Sequence, residues 1–107
     1  MIKAFIQGNL TNDVELKTVG ESEKHVAVFT VASNRPGREG ADYLRVEVWG
    51  ANAQNCAKYL KKGSGVCCAG DLQIETFTKD DERRIAVKLV NTQVEFTDRK
   101  PTQGIIE

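Results

Sequence analysis

DYLRVEVWGANAQNCAKYLKKGSGV, residues 42–66, changes its hydrophobic period halfway along. From Asp42 to Trp49, the aliphatic Leu44, Val46 and Val48 alternate with Tyr43, Arg45, Glu47 and Trp49, and successive strand side chains point to opposite faces. The segment reads as a strand with an aliphatic core side and a second side carrying two aromatics and a cation. Past Gly50, Ala53, Cys56, Ala57 and Leu60 fall at i, i+3, i+4 and i+7, the stripe of a short amphipathic helix. Asn52 is the expected N-cap. Lys58, Lys61 and Lys62 crowd the C-terminal end, where cations suit the helix dipole, and Gly63 is placed to turn left-handed. A strand resumes at Val66.

Upstream, Ile2–Gly8 alternates Ile2, Ala4 and Ile6 with polar and aromatic neighbours and reads as a first strand. His25–Ser33, rich in Val, Phe and Thr, is a second. Between them, the turn-forming residues of Asn9–Glu23 predict a loop or an irregular strand extension. Asn34–Gly40 contains a Pro36-Gly37 step with Arg35 and Arg38 and reads as a mobile loop. Downstream, Val66, Cys68, Gly70, Leu72 and Ile74 alternate with Cys67, Ala69, Asp71, Gln73 and Glu75, and Phe77 ends the second series. Lys79-Asp80-Asp81-Glu82 predicts a hairpin turn. Arg83–Phe96 is then a long fifth strand with Ile85, Val87 and Leu89 on one face. Thr97 onward has little to bury, so residues 1–97 read as one domain and 98–107 as a flexible tail. Three strands, a helix and two long strands is the element order of an all-β, five-stranded Greek-key barrel of the oligonucleotide/oligosaccharide-binding type, the OB-fold, with its helix between strands three and four.

Composition narrows the chemistry. A chain of 107 residues, 40% hydrophobic and 28% charged, is sized for one core burying roughly 65% of the unfolded surface. No apolar run reaches the roughly 20 residues of a membrane span, and the amino-terminal residues alternate where a secretory signal has an apolar block. The expected setting is cytoplasmic. Cys56, Cys67 and Cys68 are odd in number and include an adjacent pair, a poor disulfide framework. They are read as reduced, small apolar fillers in preference to a soft-metal site, so no metal or other cofactor is expected. His25 is the single histidine, without a partnered nucleophile, and neither a carboxylate pair nor a phosphate-cradling glycine loop is present; no catalytic site is expected. A formal net charge of zero speaks against a nucleic-acid binder unless the basic residues gather on one face.

The second row of the 42–49 strand offers such a face. Tyr43 and Trp49, taken alone, read as packing under the helix or at a subunit contact. With Phe77 as a third aromatic, and Arg45 and Arg84 nearby, they read as a stacking platform for unpaired bases, with cations for phosphates. Base stacking of this kind contributes roughly 1–3 kcal/mol per base and tolerates any sequence.

At these residues the chain resembles a family. Lys3–Leu10, Asn12–Lys17 and Val26–Ala32 look like the opening of bacterial single-stranded DNA-binding proteins; Arg45–Gly50, Cys56–Ser64 and Val66–Leu72 resemble the family's strand, helix, basic turn and following strand. The resemblance runs in order from Met1 to about Phe96. It implies an OB-fold that assembles, usually as a homotetramer (a dimer being the alternative), and binds single-stranded DNA without sequence preference or catalysis in replication, recombination or repair. Tyr43, Trp49 and Phe77 match base-stacking positions, and Lys17, Arg45, Lys61, Lys62 and Arg84 match basic positions lining the DNA path. Phe29 matches an aliphatic core position, while Lys3, Phe5, Tyr59 and Phe96 are read as structural.

Three departures stand out. Gln73 and Glu75 replace residues that are often basic, and Glu47 one that is commonly apolar, so a less positive DNA path is expected. The loop between strands two and three has no aromatic, only Arg35 and Arg38 as candidate contacts. The sequence ends at Gly104-Ile105-Ile106-Glu107 without the acidic, aromatic-ended tip that recruits replication and repair partners in the family. A bacterial nucleoid, phage or mobile-element setting fits, and the competing reading is an OB-fold adaptor resembling primosomal proteins, which meets protein or RNA.

Overall fold

The computed structural model describes residues 1–21 and 24–97. The expected tail at 98–107 lies outside the described residues, as do Ser22 and Glu23. Six strands and one helix follow one another as β1 (Lys3–Leu10), β2 (Glu15–Val19), β3 (Lys24–Asn34), β4 (Ala41–Trp49), α1 (Ala51–Tyr59), β5 (Gly65–Lys79) and β6 (Glu82–Phe96). The sheet order is β1-β5-β6-β4-β3-β2, and β1 pairs again with β3 through Asn9–Ala32 and Leu10–Val31. Five strands thus close a barrel of OB type. The sixth, β2, is the segment read as a loop or irregular extension; it lies antiparallel against β3 from Glu15–Val28 to Val19–Lys24.

Closure depends on a close approach at Gly8. There β1 leaves β5 to cross onto β3, and a side chain at this position would overlap the carbonyl of Ala32. Inside, the aliphatic rows meet as the alternation requires: Ala27, Phe29 and Val31 of β3, Val46 and Val48 of β4, Val66 and Cys68 of β5 and Leu89 of β6 are buried together. Phe29 is a core residue, as expected. α1 packs against β2, β3 and β4, and its Ala53 and Cys56, with Leu60 just beyond, complete that core.

The helix starts differently from the expectation. Its N-cap is Gly50, whose carbonyl accepts from Ala53 N at 3.0 Å, and no side chain caps the end; Asn52 lies inside the first turn. Gly50 N in turn donates to His25 O at 2.9 Å, so backbone bonds fix the strand-to-helix corner at Gly50 and the helix begins at Ala51, too early for Asn52 to cap it.

Beyond the barrel, β5 and β6 continue as a projecting hairpin. Lys79 pairs with Glu82 around Asp80 and Asp81, both at positive φ, the conformation that a two-residue turn between twisted strands demands. Leu72, Ile74 and Thr76 face Leu89, Val87 and Ile85 across this hairpin. Only Leu89 of the latter three is buried; Ile85 remains 67% exposed. Near the barrel the pairing slips between Ala69–Gln93 and Asp71–Val90, so that Asn91 and Thr92 together oppose Gly70. This bulge, with Asn91 at φ 51°, reverses the parity of β6. Thr92 and Val94 thereby turn inward where an unbroken alternation from Leu89 points them out.

Candidate nucleic-acid interface

The outer side of β4 carries Tyr43, Arg45, Glu47 and Trp49, as the alternation requires. Tyr43 is 62% exposed and Trp49 42% exposed, so neither packs under the helix. Phe77, 44% exposed, lies opposite Arg84 on the hairpin. The three aromatics are not on adjacent strands: β6 runs between β4 and β5. Its Lys88 is the rung between them, paired with Arg45 of β4 on one side and Gln73 of β5 on the other. β4 and β6 run parallel, so Tyr43 and the Arg84–Phe77 pair lie to one side of that rung and Trp49 to the other. Tyr43 and Trp49 are about 20 Å apart along the strand at its usual rise.

The expected cations are distributed unevenly over this face. Arg45 sits at its centre and forms no ion pair among the described residues. Lys17 shares a row with Val26 and Trp49 through the β2–β3–β4 pairing, and its ammonium is 2.9 Å from Glu15. Arg84 stands beside Phe77 and reaches Glu82 at 3.3 Å. Lys61 and Lys62 occupy the turn after α1, whose backbone is tied to the first strand by Gly63 N to Leu10 O at 2.9 Å; Lys62 N donates to Asp13 Oδ1 at 2.8 Å. Asp13 and Asn12 share a hollow with Arg45, Val28 and Thr30, which brings this turn to the border of the face. Arg35 and Arg38 lie in the β3–β4 connection, at the Tyr43 end; Arg35 is held by Asp42 at 3.0 Å, and Arg38 is exposed.

Lys88 is the residue that the sequence reading passed over. Its ammonium donates to Glu47 Oε2 at 3.2 Å and lies 3.5 Å from Glu75 Oε1, and the bond to Glu47 holds its pKa above the usual lysine value. The signal was present in the alternation of β6, where Lys88 falls opposite in phase to Val87 and Leu89. Glu47, noted as a departure, is therefore a paired carboxylate in the middle of the aromatic face.

The residues read as structural separate. Lys3 pairs with Asp71, but Phe5, Tyr59 and Phe96 are all exposed, with the Tyr59 and Phe96 rings 6.1 Å apart beside α1. Cys56 and Cys68 are buried and Cys67 half-buried. No group of residues able to hold a metal occurs among the described residues.

Barrel order and helix position define an OB-fold protein, with an exposed aromatic row on the outer side of β4 and the hairpin. The sequence profile of the single-strand binding protein family matches residues 1–97, and the chain belongs to that family. It is 33% identical over 106 residues to single-stranded DNA-binding protein 1 of Clostridium acetobutylicum, covering 94% of this chain and 96% of that one. To single-stranded DNA-binding protein 3 of the same organism it is 34% identical, covering 92% of this chain and 72% of the other. To single-stranded DNA-binding protein 3 of Listeria innocua it is 35% identical, covering 94% of this chain and 66% of the other.

Proposed function

We propose that this chain binds single-stranded DNA without reading a defined sequence, stacking bases on Tyr43, Trp49 and Phe77 and contacting phosphates through Arg45, Arg84, Lys17, Lys61 and Lys62, with Arg35 and Arg38 at the edge. The observation that carries the reading is the exposure of all three aromatics on one outer face around Arg45, which forms no ion pair among the described residues. Such a face protects unpaired DNA in replication, recombination or repair, within the bacterial cytoplasm, and performs no reaction. The binding domain is residues 1–97.

Assembly into a homotetramer belongs to the same reading. Among the described residues no strand pairs with the second edge of β1 over Lys3–Gln7, Phe5 stands out from it, and the hairpin exposes Ile74, Ile85 and Val87. Open edges and apolar patches of this kind are covered by pairing. A dimer is the smaller alternative.

The test is titration of a labelled oligo-dT and of duplex DNA of equal length at several salt concentrations. Strong preference for the single strand, weakening with salt, is expected. Equal affinity for the duplex, or binding indifferent to salt, would contradict the assignment.

A further inference from the structure

A stacking platform that accepts any base needs aromatics and cations; it has no need of two carboxylates at its centre. Yet Glu47, with 15% of its side chain exposed, and Glu75 both hold Lys88, and these three with Arg45 line a hollow of about 290 Å³ midway along the aromatic face. Two cations and two anions leave the hollow with no net charge. Arg45, with no ion pair among the described residues, stays available to a phosphate. Beside Lys88, which two carboxylates neutralise, a phosphate gains little, so the group suited there is neutral and offers a hydrogen-bond donor next to an acceptor. Lys88 occupies one oxygen of each carboxylate, and a carboxylate has capacity for several more bonds. Carboxylates accept from the exocyclic amine of cytosine, while lysine and arginine donate to base carbonyls and ring nitrogens. Cytosine presents its amine beside a ring nitrogen and a carbonyl. Thymine presents carbonyls on both sides of a single ring N–H.

We propose that Glu47, Glu75 and Lys88, with Arg45, bias this chain toward bases that carry an exocyclic amine, and among the pyrimidines toward cytosine over thymine. The inference rests on the single-stranded DNA reading of this face. Stacking supplies the affinity, and the hollow ranks the bases.

The test compares oligo-dC with oligo-dT of equal length, in one buffer at pH 8 and fixed salt, for the unaltered chain, Glu47→Met, Glu75→Met and the double variant, which remove the acceptor oxygens while keeping side-chain length. The unaltered chain should bind oligo-dC about fivefold to tenfold more tightly than oligo-dT. The double variant should lose that ratio, its affinity for oligo-dT rising because Lys88 is freed of both carboxylates while the amine acceptors for oligo-dC are gone. Because Glu47 is half-buried, the exposed Glu75→Met variant provides the second reading and should show part of the same loss. Equal binding of the two homopolymers by the unaltered chain, or a ratio that survives in the double variant, overturns the base preference and leaves the single-strand reading standing. If neither homopolymer binds, the reading beneath it falls too.

Discussion

Tyr43 and Trp49 are six residues apart on one strand, an even spacing, and so share its outer side while Val46 and Val48 stay in the core. Removing either ring should leave the fold alone and reach only the ligand. Tyr43→Ala is expected to weaken single-strand binding by about 1–3 kcal/mol with an unchanged circular dichroism spectrum; a collapsed spectrum would mean that the ring supports the barrel. The buried thiols make a different prediction. Burial pushes the Cys56 thiol from 9.0 up to about 11 and the Cys68 thiol up to about 12. Between these values the folded chain keeps protons that the unfolded chain releases, so stability is full below pH 9 and drains as pH rises toward 11–12. Urea midpoints should fall over that range, and Cys68→Ala should fall less steeply; identical slopes would place the thiol outside the linkage. Residue-scale features were legible wherever two sides of a strand differ in chemistry. The pairing of Lys88 with Glu47 was not, because it joins strands far apart in sequence across a parallel register.

At the scale of elements, periodicity exposed five strands and the helix because each has a buried stripe. β2 has none: every residue from Glu15 to Val19 is exposed, and the strand forms because β3 offers an unpaired edge, a tertiary cause invisible in the local pattern. The β6 bulge escaped for a similar reason, since the extra residue at Asn91 is defined only against Gly70 of the partner strand. That geometry can be tested directly. A Cβ on Gly70 would come within 2.6 Å of Val90 O and 3.1 Å of Thr92 Cα. Gly70→Ala should therefore destabilise the chain by about 1–3 kcal/mol, read as a lower urea midpoint. An unchanged midpoint would show that β6 shifts freely, with no fixed bulge.

For the whole molecule, zero net charge goes with a proposed binding face several of whose cations, Lys17, Arg84 and Lys88, are already neutralised by neighbouring carboxylates. Each phosphate contact adds about 0.7 to the salt slope for a single strand, so a modest slope per subunit is expected in the oligo-dT titration. Light scattering at micromolar concentration should report a mass above the 11.8 kDa of one chain; the single-chain mass would rule out the proposed assembly. Stacking of unpaired bases on the outer side of β4 has a built-in reporter, since Trp49 is the chain's single tryptophan. Its emission should be quenched in a saturable way by single-stranded DNA and stay unchanged with duplex of equal length. Unaltered Trp49 emission under conditions where a labelled oligonucleotide is bound would contradict the account.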